Sequence, residues 1–345
     1  MDKFASTETK LDFADVLISP ASSEKLLTRK SVNIEFDWLD STANPIVVAN
    51  MLSTGTYSIA KLLTQHRVFT FLHKEYTFAE HVENLSTMEN KKYIAITSGV
   101  QTWDIEKTDA VCEKFNDIAL INVDIANVYA NVQGILNTVR HYKERFPHIK
   151  ICVGNIATPE LIRELAEAGA DIVKVGIGSG AACKTRSEVG VGVPQLSCIL
   201  DCYDAARKYR LDIISDGGCV TAGDVTKALG AGAKMVMLGG MVSKSEECDN
   251  ITEIDGKKYV NFYGLGSTKM YNRTKPTEQE YRPNEGRDLL VPVTGSIMDV
   301  IKQVQGGIRS ALTYVGAEHI DDMYSKTQFI KVNNVINKSL EKYDS

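Results

Sequence analysis

The chain has 345 residues, 43% hydrophobic and 24% charged, with 25 glycines and 8 prolines, which excludes a mainly disordered polymer and suits one large α/β domain or two ordinary ones. Its 39 basic and 44 acidic residues leave a formal net charge of -5, without the basic excess that binding a phosphate backbone needs, so nucleic acid is not an expected partner. The 7 cysteines, spread from Cys112 to Cys248 without a CxxC pair, exclude a disulfide framework or a zinc ribbon and imply a reducing compartment.

The opening stretch, MDKFASTETKLDFADVL, carries acidic residues and no apolar core of signal-peptide length, so the cytoplasm is the expected location. Short β-branched runs then recur with amphipathic segments between them. In chain order they are Pro45 to Asn50, Val68 to Lys74, Tyr93 to Gly99, Ile121 to Asn127, Lys150 to Ile156, Asp171 to Gly178, Asp212 to Gly218 and Lys234 to Gly240. One amphipathic segment, TPELIRELAEAGA, sets Leu161, Ile162, Leu165 and Ala168 on one face behind a Thr158 N-cap and a Pro159 first turn. The greasiest stretch, Ala228 to Val242, is broken by Lys234 and falls short of the ~20 apolar residues of a membrane helix, so no membrane contact is expected. Beyond the eighth run, Asn272 to Asp288 has no apolar periodicity and reads as an exposed loop, a flap over about 268–290. Helical spacing returns from Ile297 to Val315.

Eight βα units fit a (β/α)8 barrel better than an open sheet, with residues 1–345 as a single domain. In a barrel the chemistry sits at the C-terminal ends of the strands, where His73, Lys74, Asp124, Asn127, Asn155, Gly176, Asp216 and Gly239 fall. The most informative stretch is the glycine-rich VGIGSGAACKTRSEVGVGVPQ from Val175 to Gln195. Cys183 in that loop, with Lys184 and Arg186 beside it to favour the thiolate, is a candidate nucleophile; the alternative is a small buried hydrophobe. That blander reading suits Cys152, Cys198, Cys202 and Cys219, on expected strands or helices. Carbonyls of Gly178 and Gly180 could also ligate a potassium ion. The glycine pairs in SDGG (Ser215 to Gly218) and LGG (Leu238 to Gly240) follow strands seven and eight, where barrels take phosphate on backbone N–H groups and a short helix N-terminus. Asp216 would repel a phosphate and better accepts from a ribose hydroxyl.

GIGSGAACKTR, SDGG, LGG, FYGLGS (Phe262 to Ser267), YRPNEG (Tyr281 to Gly286) and GGIRSALTYVGA (Gly306 to Ala317) resemble, in order and spacing, the IMP dehydrogenase and GMP reductase family. The likeness runs from Leu11 to about Lys331. It implies a (β/α)8 barrel that binds a purine nucleotide and a nicotinamide cofactor. The interval from Lys74 to Tyr93 is too short for the regulatory insert usual in the dehydrogenases, and Glu285 stands where a reductase has its acid, so the resemblance is to the reductase side. Ala181, Ala182, Lys184 and Asn284 depart from the usual reductase pattern.

The resemblance implies NADPH-dependent reductive deamination of GMP to IMP and ammonia, with Cys183 attacking purine C2 and Thr185 relaying a proton from Glu285. It assigns GMP to Asp216, Gly217, Gly218, Gly239, Gly240, Gly264, Ser267, Arg282 and Gly286. The cofactor goes to Lys74, Asp124, Ala126, Tyr281 and Ser310, with Thr28 and Arg29 reaching across from a neighbouring subunit of a homotetramer. Alternatives are a dehydrogenase lacking its insert, a non-catalytic nucleotide-sensing barrel, and a flavin-dependent barrel.

Overall fold

Apolar and β-branched residues buried on both faces are what a parallel strand under helices requires, and each expected run contains one such strand. The structure, a computed structural model, describes residues 6–38, 41–125, 127–264, 266–267, 283–333 and 335. It opens with three short strands, β1 (Val16–Ile18), β2 (Phe36–Trp38) and β3 (Ser41–Ala43), the last two forming an antiparallel hairpin. The barrel follows as β4 (Ile46–Val48), β5 (Phe69–Phe71), β6 (Ile94–Ser98), β7 (Leu120–Asp124), β8 (Lys150–Ile156), β9 (Ile172–Val175), β10 (Asp212–Asp216) and β11 (Met235–Leu238). Neighbours pair in chain order, and β11 returns to β4 through Val236 opposite Ile46 and Leu238 opposite Val48, which closes the (β/α)8 ring.

The helices between strands are α1 (Tyr57–Leu63), α2 (Phe78–Leu85), α3 (Thr102–Lys114), α4 (Val132–Arg145), α5 (Ile162–Ala168), α6 (Gln195–Lys208) and α7 (Ala222–Gly230). Thr158 stands at the N-cap and Pro159 opens the first turn as expected, but the Thr158 hydroxyl pairs with the Tyr129 hydroxyl at 2.9 Å instead of a helix N–H, and α5 proper starts at Ile162. Among the described residues no helix is long and apolar enough to cross a membrane.

The expected C-terminal helix is α8 (Ile297–Val315), capped by the Ser296 hydroxyl and stopped by Gly316 at φ +73. Its apolar stripe, including Val300, Ile301, Val304, Ile308 and Leu312, is buried, at about 1.5–3 kcal/mol per side chain. Beyond β11 lies an antiparallel sheet of β12 (Ile251–Ile254), β13 (Lys257–Tyr263) and β14 (Asp288–Pro292), and a final β15 (Phe329–Lys331) pairs with β1. Of the expected flap, 268–282 lie outside the described residues. From Asp288 the chain is a strand and not the loop expected, because Leu289 and Val291 find partners in Phe262 and Val260. Pairing of Tyr263 with Asp288 continues as Gly264 N–H donating to the Arg287 carbonyl and Gly286 N–H to the Gly266 carbonyl, which sets Glu285 beside Gly266.

Candidate active site

Cys183 follows β9 in a loop that turns back on itself, its N–H donating to the Gly180 carbonyl at 3.0 Å. Backbone pairing then fixes what faces it. Cys183 bridges Gly286 in antiparallel fashion, Lys184 N–H donates to the Glu285 carbonyl at 2.7 Å, and Arg287 N–H donates to Ala182 at 2.9 Å. The side chains complete a chain of contacts: the Cys183 thiol donates to Thr185 Oγ1 at 3.1 Å, and that hydroxyl donates to Glu285 Oε2 at 3.1 Å. Three backbone segments can meet this closely only without side chains. A Cβ on Gly286 would lie 2.4 Å from the Ser267 nitrogen, and one on Gly264 would lie 2.7 Å from the Ala182 carbonyl oxygen. Ser267 is fully buried behind them.

The two cations expected to favour the thiolate form their ion pairs with carboxylates, while Arg186 keeps an electrostatic interaction with Cys183. Arg186 forks onto Asp12 at 2.7 and 3.2 Å and reaches the Val193 carbonyl, while Lys184 lies 3.9 Å from Glu188. Burial works against ionisation of Asp12, but Arg186 and the Gln195 N–H outweigh it and hold the carboxyl below its usual range. Asp12 therefore ties the cysteine loop to the N-terminal segment. Cys152, Cys198 and Cys202 are buried as expected; Cys219 lies in the loop after β10, not on a regular element, and burial pushes its thiol well up.

Both glycine loops pack on the cysteine loop. Gly217 (φ +97) and Gly218 (φ +82) hold left-handed backbone, and a Cβ on Gly217 would fall 2.7 Å from Ser179 Oγ. A Cβ on Gly240 would fall 2.9 Å from that of Ala181, and one on Gly239 would fall 3.3 Å from Met51 Sδ. The N–H groups of Gly217, Gly218 and Gly240 form no backbone hydrogen bond among the described residues, which leaves donors for an anion. At the N-terminus of α7, Asp224 Oδ2 accepts from the N–H groups of Val220 and Thr221 and the Thr221 hydroxyl accepts from Asp224 N–H, while β11 leads into turns instead of a helix. Gln195, missed in the sequence, is fully buried beneath the loops. It donates to the Val175 carbonyl and Ser215 Oγ and accepts from Ser179.

A charged cluster also missed lies within the barrel. Lys174 Nζ on β9 donates to Asp124 at 2.6 Å, Asn155 at 2.6 Å and Asp216 at 3.1 Å. Burial disfavours the ammonium, yet Asp124 and Asp216 hold it above the ordinary lysine range. A lysine inside a continuous apolar run was the available signal. Asp124 has both oxygens taken, the second by Asn50 at 3.1 Å. Asp216 keeps Oδ1 without a partner among the described residues, on a side chain 24% exposed.

The expected cofactor residues form two groups. Lys74 and Asp124 stand at the mouth, the Lys74 carbonyl accepting from the Lys107 ammonium. Arg29 Nε donates to Ser310 Oγ at 2.7 Å, and Thr28, Arg29 and Lys30 line a separate cavity of about 460 Å³ with Tyr314. No hydrogen bond or ion pair joins the two groups among the described residues. Ala126, Tyr281 and Arg282 lie outside the described residues. Gly178 has φ +83, and the Gly180 carbonyl already accepts from Cys183. Among the described residues no cluster of three or more His, Cys, Asp or Glu could hold a metal ion.

Comparison with known proteins agrees with this layout. The family described as IMP dehydrogenase / GMP reductase domain matches residues 10–339. A GMP reductase of Onchocerca volvulus is 38% identical over 348 residues, covering 98% of this chain and 95% of its own. GMP reductase 2 of Homo sapiens is 40% identical over 341 residues, covering 96% of each chain. A GMP reductase of Aliivibrio fischeri (strain MJ11) is 40% identical over 344 residues, covering 96% of this chain and 98% of its own. With the match running through nearly the whole length, and the cysteine loop, glycine loops and Glu285 segment converging at one barrel mouth, the chain belongs to the IMP dehydrogenase / GMP reductase family.

Proposed function

We propose that this protein catalyses the NADPH-dependent reductive deamination of GMP to IMP and ammonia, as a single barrel domain over 1–345. The observation that carries the reading is the Cys183–Thr185–Glu285 contact chain, two links of 3.1 Å each. Cys183 Sγ adds to purine C2 as its proton passes through the Thr185 hydroxyl to Glu285, and Glu285 returns a proton by the same route to the leaving amine, so ammonia departs and a thioimidate remains on the cysteine. NADPH, when bound, supplies the hydride that reaches C2. The thiolate then leaves and IMP is released. Asp216 Oδ1 is free to accept from the ribose, and the N–H groups of Gly217, Gly218, Gly239 and Gly240 receive the phosphate. Gly264, Ser267, Arg282 and Gly286 enclose the base.

A guanidinium, an ammonium and a hydroxyl at Arg29, Lys30 and Thr28 are a donor set that fits a phosphorylated cofactor. Ser310 orients Arg29. Lys74, Asp124, Ala126 and Tyr281 would hold the reacting end. These two groups serve different subunits of a homotetramer, with Thr28 and Arg29 reaching a cofactor held by the neighbouring chain. Potassium on the Gly178 and Gly180 carbonyls and a cytoplasmic location complete the proposal.

Glu285 in contact with Thr185 argues against a dehydrogenase lacking its insert, and the intact contact chain argues against a sensor without turnover. The test is the near-ultraviolet absorbance of NADPH on adding GMP, with NADH in parallel. A fall with NADPH together with IMP formation is expected; absorbance unchanged with either cofactor would refute catalysis. A colourless purified protein disposes of the flavin reading.

A further inference from the structure

Lys174 has no part in the chemistry above, yet it sits between two residues that do. Its side chain is 2% exposed, at the centre of an apolar strand. An ammonium has three donors, and here they meet Asp124 Oδ1, Asn155 Oδ1 and Asp216 Oδ2, so none remains for a ligand. The surroundings are built around it. Gly154 stands opposite on β8, where a Cβ would come 2.4 Å from that of Lys174. Asn155 accepts from the lysine and donates to Asp216 at 2.8 Å, and Asn50 holds the far oxygen of Asp124. A buried ion set of this kind seldom adds stability over apolar packing of the same volume.

We propose that Lys174 is a positioning residue that serves both ligand subsites at once, holding the ribose carboxylate Asp216 and the cofactor carboxylate Asp124 in place with a single shared charge. The proposal rests on the assignment of GMP and NADPH given above. Both carboxylates reach the same nitrogen, so their nearest oxygens stand no more than about 6 Å apart, a separation at which two like charges without the ammonium between them push each other out of place. Removing the ammonium therefore turns two cooperating sites into competing ones. Removing one carboxylate as well relieves the other.

The test is equilibrium titration of wild type, Lys174→Met, Asp124→Asn and the double variant with GMP alone and with NADP+ alone, the latter being unable to reduce GMP. Lys174→Met should weaken both ligands by about 10-fold or more, although it touches neither. Adding Asp124→Asn to Lys174→Met should restore GMP affinity to within about 3-fold of wild type while NADP+ binding stays weak. A lysine that merely holds the fold gives no such one-sided rescue. Unchanged Kd values in Lys174→Met, or no recovery of GMP binding in the double variant, overturn the proposal. So does a double variant that cannot fold. Wild-type protein that binds no GMP would instead sink the functional reading, whatever Lys174 does.

Discussion

Glu285→Gln tests the proton relay at its outer end. Glutamine keeps the length of the side chain, and the contacts that seat this segment are backbone ones, Lys184 N–H to the Glu285 carbonyl at 2.7 Å and the Cys183–Gly286 bridge, so the loop should stay in place. What disappears is the carboxylate that accepts from Thr185 Oγ1 at 3.1 Å. A hydrogen bond to a charged acceptor contributes about 1.5–3 kcal/mol, or roughly 10- to 150-fold in rate. The variant also loses the group that gives up the proton, typically ~10²- to 10⁴-fold. GMP reduction should therefore fall ~10²- to 10⁴-fold. Hydride transfer makes no use of the leaving amine. Mixing IMP with NADP+ in a stopped-flow instrument runs that step backwards to the thioimidate and NADPH without ammonia, and its rate should stay within about 3-fold of wild type, under about 1 kcal/mol. Equal losses in both reactions would mean that Glu285 orders the flap or cofactor. Wild-type GMP reduction would make it an ordinary loop charge.

Thr185→Val interrupts the same chain one link earlier; its loss in GMP reduction should match that of Glu285→Gln, and the double variant should be little worse, since groups acting as one unit are not additive. Cys183→Ala should abolish turnover while GMP titration stays near wild type, because the phosphate and ribose donors lie on other loops, and mass spectrometry of the wild type quenched during turnover should find the adduct on Cys183; appreciable residual turnover would remove the covalent route. Gly286→Ala would set a Cβ 2.4 Å from the Ser267 nitrogen and 2.8 Å from the Gly266 carbonyl carbon. Overpacking there should cost about 1–3 kcal/mol and lower Tm by a few degrees, with a larger loss in kcat because Glu285 is the preceding residue; unchanged Tm and kinetics would contradict the close approach. His81 is buried against Tyr57, its Nδ1 2.6 Å from the Tyr57 hydroxyl. Burial, reinforced by Lys107 and His73, pushes its pKa down from 6.5 to about 3. Between those values the unfolded chain takes up a proton that the folded chain refuses, so stability falls as pH drops through that window, by up to ~1.4 kcal/mol per unit. Denaturant titrations of His81→Gln should show a flatter pH dependence than wild type there, and identical slopes would place the imidazole in contact with water.

The barrel was legible in the sequence because its strands are buried on both faces and so are written as short, largely apolar runs, and α8 was legible because its apolar residues keep helical spacing from Ile297 to Val315. Cys183 stood out for a local reason as well, a thiol within a glycine-rich loop. Sequence proximity gave only part of its surroundings: Arg186, three residues away, interacts with Cys183 through its charge but gives side-chain hydrogen bonds to Asp12, 174 residues earlier in the chain. β14 could not be read from DLLVP, since a short strand with one face half-buried gains its hydrogen bonds only from a partner, here β13. Gln195, in the sequence only the last residue of a glycine-rich stretch, proved to be a buried brace joining Ser179 of the cysteine loop to β9 and β10. Lys174 is the clearest case. In the sequence it is a charge interrupting an apolar strand; only closure of the ring brings β7, β8 and β10 around β9, so that Asp124, Asn155 and Asp216 can share one buried ammonium. Periodicity and turn chemistry act between residues close along the chain, so they can be read from it. Charge pairing and close backbone approach depend on distances that exist only after the barrel has closed.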